Sequence, residues 1–260
     1  MATTSYDVLR GLGLVAVLLV LAGCGAASSS STPGGRSGQP SGRPSGHPGH
    51  HSGHHSGGHR HDVPPAQAPP RATQARTALD ALAVAPRPRG TEGYRRDAFG
   101  SSWIDTDHDG CNQRDDVLLR DAVPGSTTVA QQGACDHDVL AGTWHDPYTG
   151  RTLTFTDLKD LHQAEAIQID HVVPLAEAWV SGARRWGRAE RESFANDLHE
   201  LLAVDGPTNM SKGDGDPASW RPRRGYQCTY ARRWIAIKAA WHLAVDPAEV
   251  AALRQMLGYC

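Results

Sequence analysis

Strong net charge, long apolar runs and any Cys-x-x-Cys pair are missing from this chain of 260 residues. With 26 Lys and Arg against 28 Asp and Glu, the formal net charge of −2 excludes a uniformly basic, histone-like protein. Contact with nucleic acid would have to come from a local patch. The lack of Cys-x-x-Cys argues against a structural zinc knuckle. The one N-terminal apolar run, Gly11 to Leu21, is too short for a comfortable membrane span. Branched apolar side chains are almost absent between Gly25 and Arg71, where 10 Gly, 9 Ser, 8 Pro and 7 His accompany the lone Val63. Such a stretch cannot build a core. What remains, from about Thr73 to Cys260, suffices for one compact domain of ordinary size and excludes a large multidomain enzyme.

The run Gly11 to Leu21 reads as the apolar core of an export signal. Behind it, Leu21-Ala22-Gly23-Cys24 resembles the lipobox of bacterial lipoproteins, which implies that Cys24 is lipidated and becomes the mature N-terminus. A plain signal peptide cut near Ala26 or Ala27 is the alternative. Either way the product is extracytoplasmic, lipid-anchored or secreted. The Gly/Ser/Pro stretch after it would span about 40 Å as a random coil and reads as a disordered tether. Its His47, His50, His51, His54, His55, His59 and His61 offer imidazole ligands to transition metals, or are drift in a polar linker.

Four cysteines besides Cys24 allow three pairings, and an even number in an exported chain points to two disulfides. The sequence-local choice joins Cys111 to Cys135 and Cys228 to Cys260. Short elements follow one another along the folded part. Helices are expected over Thr73–Val84, Arg114–Ala122, Pro174–Ala183 and Arg188–Asp197, and strands over Thr127–Gln131, Val139–Thr143, Thr152–Phe155, Ala166–Val173 and Leu201–Val204. Pro207 to Lys212 reads as a loop or the first turns of a helix. Tyr230, Trp234, Ile237 and Trp241 form an apolar stripe on a terminal helix. A last helix opens with Asp246-Pro247-Ala248-Glu249, a capping box with Pro in the first turn. These two should pack antiparallel.

The chemistry-bearing segment runs from Asp170 to Asp214. It holds Asp170-His171-Val172-Val173-Pro174 at a strand end, Asn196 before the next strand, and Asn209-Met210-Ser211-Lys212. Phosphodiester hydrolysis needs a base for water, a hard cation for the phosphorus oxygens and a scaffold that aligns them. Histidine titrates near neutrality, and Asp and Asn offer oxygen ligands suited to Mg²⁺. Neighbouring strand residues face opposite sides, so Asp170 and His171 serve one site only if the chain bends there.

These residues resemble the HNH (ββα-metal) endonucleases, most closely an exported branch similar to the C-terminal domain of GmrSD-type restriction endonucleases, over about Trp103 to Cys260. The resemblance implies Asp170 and Asn209 as ligands of one Mg²⁺ (or Mn²⁺) ion, His171 as general base, Asn196 as a loop-fixing residue and Lys212 near the phosphate. The motif ends in Asn rather than His, which favours hard ions over zinc.

Two further patches stand out. Arg221, Arg223, Arg224 and Arg232, with Arg233 and Lys238, lie in an acid-free stretch among Trp220, Tyr226 and Tyr230, a pattern that can hold phosphates through Arg forks. The alternative is a solvated face with a tryptophan core. Asp105-Thr106-Asp107-His108-Asp109-Gly110, with Asp116 at the twelfth position, matches an EF-hand-like loop that would take Ca²⁺. Against it stand the short last ligand and Cys111 inside the loop; these residues could instead shape the rim of the cleft.

The expected architecture is α+β: a ββα-metal core with short strands, flanked by helices. The expected division is signal sequence 1–24, tether 25–72, short helix and linker 73–96, and nuclease domain 97–260. The function read from it is an exported, metal-dependent endonuclease acting on DNA, or RNA as well, with little sequence specificity, and working as a monomer. The rival is a surface metal-binding lipoprotein whose nuclease-like domain is inactive.

Overall fold

A computed structural model of the chain describes residues 67–88 and 90–260. The export signal, Cys24 and the histidine tract lie outside them. No helix among the described residues is long and apolar enough to cross a membrane.

The described chain is a mixed α+β domain with helices α1 (Ala72–Ala81), α2 (Gln113–Asp121), α3 (Leu161–Ala166), α4 (Leu175–Ser181), α5 (Arg188–Ala195), α6 (Gly206–Lys212), α7 (Arg224–Ala240) and α8 (Pro247–Leu257). Strands β1 (Thr128–Gln132), β2 (Cys135–His145) and β3 (Thr152–Phe155) form one antiparallel sheet in that order, and β4 (Ile167–His171) pairs antiparallel with β5 (Leu201–Asp205) in a second. The expected elements are present with shifted ends. The expected strand over Ala166–Val173 is shorter, because α3 and then a glutamate-held bend flank it. Helix α3 and the 3₁₀ turn Arg96–Phe99 had no counterpart in the pattern, being too short to show a period.

The β4–β5 pair lies between two apolar clusters. Ile167, Ile169, Leu201 and Ala203 join Val117, Leu118, Val139, Trp144 and Phe155 on one face. Leu202 and Val204 join Val172, Val173, Tyr148, Tyr230 and Trp234 on the other. This explains why β5 reads as a continuous apolar run: both its faces are buried. Gly206 turns β5 into α6, and a Cβ there would clash with the Glu165 carbonyl, so the backbone packs too closely for any side chain. Asp205 caps α6 by accepting from the Thr208 N–H. Together β4, β5 and α6 make a ββα unit.

Both sequence-local disulfides are present, Cys111–Cys135 and Cys228–Cys260. The second ties the start of α7 to the chain end after α8, and Lys238 near the end of α7 meets Glu249 near the start of α8, so the two helices run antiparallel. Asp246 and Glu249 form the expected capping box. Lys238 is fully buried between Glu177 and Glu249. It belongs to the core, not to a phosphate-binding face.

Candidate active site

Strand β4 stays regular through its last residue: Asp170 pairs with Leu202 and His171 with Leu201. The two side chains therefore leave opposite faces. The bend comes later, where the Val172 N–H donates to the Glu200 carbonyl and the Val173 N–H to Glu200 Oε1. The condition for Asp170 and His171 to share a site is not met.

Asp170 turns into the interior. Lys212 Nζ lies 2.8 Å from both its carboxylate oxygens and 2.7 Å from the His171 carbonyl, and the Tyr148 hydroxyl donates to Oδ2. Burial pushes the Asp170 carboxyl above its ordinary value, with Lys212 and Tyr148 pulling the other way. Asn209 lies one turn before Lys212 on α6 and donates to Gln168 Oε1 at 3.0 Å. Gln168 and Asp170 are two residues apart on one strand face, a spacing of roughly 7 Å. So Asp170 and Asn209 are each engaged elsewhere. A hard ion shared between them does not fit, because an ammonium already occupies both carboxylate oxygens. Lys212 is engaged with them: its side chain is 0 % exposed and its ammonium is paired with the buried Asp170 carboxylate rather than open to the surface.

His171 turns the other way. Its Nε2 lies 2.9 Å from the Ala195 carbonyl, and its ring is stacked on Trp103 at 6.4 Å between centroids. A carbonyl can only accept, so the proton sits on Nε2 and the Nδ1 lone pair is left over. Nδ1 makes no hydrogen bond among the described residues and is not among the side-chain atoms sealed from solvent. Burial, reinforced by Arg96 and Lys212 and opposed by the Ala195 carbonyl, pushes the imidazole down to about 3, so it is neutral at any working pH. Arg96, Ser101, Ser102 and Trp103 line a small recess with His171.

Asn196 is the joint of this arrangement. Its Oδ1 accepts from the Ile104 N–H, while Nδ2 donates to the Ser101 and Glu192 carbonyls. It thus fixes the loop whose preceding carbonyl orients His171 and straps the segment 101–104 across it. Trp103 in that strap has φ +58°, a left-handed backbone that costs an aromatic residue about 1–2 kcal/mol. Strain of this kind persists where surrounding bonds over-determine the chain.

The arginine stretch is less open than its sequence suggests. Trp220, Tyr226 and Tyr230 pack around Tyr148 instead of offering faces to bases. Arg232 donates to the Pro69 and Pro70 carbonyls, and Arg221 to the Pro217 carbonyl and Gln255. Arg224 lies over the Tyr259 ring, and Arg223 donates to the Pro147 carbonyl; both remain exposed. None of the four lines the His171 recess. The arginine that does is Arg96, which the sequence placed at the end of the linker. The basic pair Arg95-Arg96 was its only signal there, and the turn that delivers it has no periodicity to read.

The acidic loop keeps its own geometry. Asp105 accepts from the His108 N–H at 2.7 Å and the Gly110 N–H at 3.0 Å, and Gly110 has φ +95° with no room for a Cβ beside Ala134. Oxygen atoms of Asp105, Asp107 and Asp109 converge within 4.8 Å, as do ligand atoms of Asp109, Asp116 and His137. Asp107 is pushed up by burial and by the neighbouring Asp109 and Asp116 carboxylates. His137, which no motif flagged, is pushed up to about 9, chiefly by its hydrogen bond to Asp116. Cys111 and Cys135 also lie near His137, but as a disulfide they offer no thiolate.

Residues 113–256 match the family described as GmrSD restriction endonucleases, C-terminal domain. A secreted protein of uncharacterised function from Arthroderma benhamiae is 42 % identical over 201 residues, covering 75 % of this chain and 91 % of that protein. No solved structure matches.

Proposed function

The chain belongs to the GmrSD restriction endonuclease C-terminal domain family, and from that premise we propose that it is an exported endonuclease that hydrolyses phosphodiester bonds, with His171 as its general base. DNA is the expected substrate, RNA a second one. The observation that carries the reading is the His171 imidazole, held by Ala195 in a single tautomer that leaves the Nδ1 lone pair free, at a recess that Arg96 also lines.

In the proposed reaction Nδ1 takes a proton from a water molecule, and the resulting hydroxide attacks phosphorus. The bond to the leaving 3′ oxygen breaks, and that oxygen takes a proton from solvent. Arg96, exposed beside the imidazole, pairs with the phosphate oxygens as a planar, permanently charged fork. Arg223 and Arg224 offer further backbone contacts, which give affinity that falls with salt and carry no sequence preference. Activity is expected to require a divalent ion, as the family resemblance implies. Lys212, lodged on Asp170, keeps that carboxylate from holding one.

Two disulfides and the secreted relative support an oxidising, extracytoplasmic location. Lipid anchoring at Cys24 and a monomeric state complete the proposal. The test is nicking of supercoiled plasmid with and without EDTA, alongside His171→Ala. Loss of a general base should lower the rate by about 10²–10⁴-fold with the circular dichroism spectrum unchanged. Undiminished nicking by His171→Ala would remove His171 from the mechanism. Absence of cleavage by the native chain on DNA and RNA would favour the metal-binding lipoprotein instead.

A further inference from the structure

Among the described residues, no Lys or Arg pairs with Asp105, Asp107, Asp109 or Asp116; only His137 approaches the last two. Asp105 and Asp107 thus have no basic partner, and one imidazole against four converging carboxylates leaves a net negative charge that favours a cation. The decisive atom is Asp116 Oδ2. Asp116 is 1 % exposed, its Oδ1 is held by His137 Nε2 at 2.9 Å, and its Oδ2 is sealed from solvent with no hydrogen-bond partner. A bare, buried carboxylate oxygen is costly and needs an explanation. Its carboxylate converges with Asp109. A second sealed orphan, Gln113 Oε1, lies one turn earlier on α2. These two orphans sit at the ninth and twelfth positions of the loop that begins at Asp105, where an EF-hand supplies its last ligands.

We propose that this loop holds one calcium ion through Asp105, Asp107, Asp109 and Asp116, and that the ion fastens the neighbouring strap, with Trp103, over His171. His137 then orients Asp116 by binding the oxygen that the ion does not use. The donors are oxygens with no free thiolate, which selects a hard cation. A loop of this spacing accommodates the larger, irregular shell of calcium better than the strict octahedron of magnesium. The site stands apart from the His171 recess and does not depend on the nuclease reading.

The test uses the full chain stripped of metal. Calcium at 1 mM should raise Tm by roughly 5–10 °C, the linkage expected for ligand far above its Kd. Tb³⁺ should show luminescence sensitised by excitation of tryptophan, Trp103 being two residues from the first ligand. Asp107→Asn, at an exposed position that does not threaten folding, should weaken Tb³⁺ and Ca²⁺ binding about tenfold or more, the effect of losing one carboxylate. His171→Ala should keep the full calcium response whether or not it cleaves nucleic acid. No Tm rise, or unchanged affinity in Asp107→Asn, overturns the site; an equal Tm rise with Mg²⁺ overturns the choice of calcium. Calcium should also slow hydrogen exchange across residues 101–112, and unchanged exchange there overturns the fastening role.

Discussion

A histidine held near pKa 3 makes an unusual base, and the pH profile of cleavage exposes it. An ordinary imidazole at 6.5 is about 3 % neutral at pH 5, whereas His171 at about 3 is about 99 % neutral there, a difference of about 30-fold in competent enzyme. The acid limb of kcat/KM reports the free enzyme. It should therefore lie below pH 5, with the rate nearly level from there to neutrality. The depression has a named origin: a buried ring next to Arg96 and Lys212, only partly compensated by the Ala195 carbonyl. A base this weak would be inefficient if nothing changed on binding, since proton transfer is favoured when the base and its task are matched. The scissile phosphate supplies the change, because an anion in the recess stabilises imidazolium and offsets Arg96. The acid limb of kcat, which reports the complex, should accordingly sit at higher pH than that of kcat/KM. Arg96→Ala should move the kcat/KM limb upward. The assay is initial-rate cleavage of a fluorescent oligonucleotide from pH 4 to 8, with folding checked at each pH. A kcat/KM midpoint near 6.5 in the native enzyme would refute the buried, neutral imidazole.

Two further outcomes follow from the same geometry. Asn196→Ala removes three buried hydrogen bonds and should cost about 2–4 kcal/mol in urea denaturation, with kcat falling more than KM rises. Asn196→Asp keeps the acceptor for Ile104 and should fall between; equal loss in both variants would deny Asn196 its loop-fixing role. Lys212→Met leaves the Asp170 carboxylate buried without its partner and should cost about 3–5 kcal/mol, while adding Asp170→Asn should recover most of it. A Lys212→Met protein of native stability that no longer cleaves would return Lys212 to the phosphate.

Local signals were well written in the chain. The capping box at Asp246, the apolar run of β5 and the strand Thr152–Phe155 were legible because their causes lie within a few residues. The disulfide partners were the sequence-near ones, where loop closure costs least. The candidate base was legible too, as a histidine at a strand end followed by proline. Arg96 and His137 were not. Each is brought to its site by a residue far along the chain, Arg96 to the recess of His171 and His137 to Asp116 at the start of α2.

By itself, then, the sequence determined the order of elements, an α+β domain and the candidate chemistry of a strand, a loop asparagine and a short helix. Alternation along β4 already implied that Asp170 and His171 diverge unless the chain bends between them. Only the tertiary structure decided that it does not bend there, so that Asp170 turns to Lys212 on one covered face and His171 to Trp103 on the other. The physical reason is that the partner of a charged side chain is set by burial: once both faces of the β4–β5 pair are covered, an inward carboxylate needs a counter-charge, and Lys212 lies one helical turn past Asn209 to provide it.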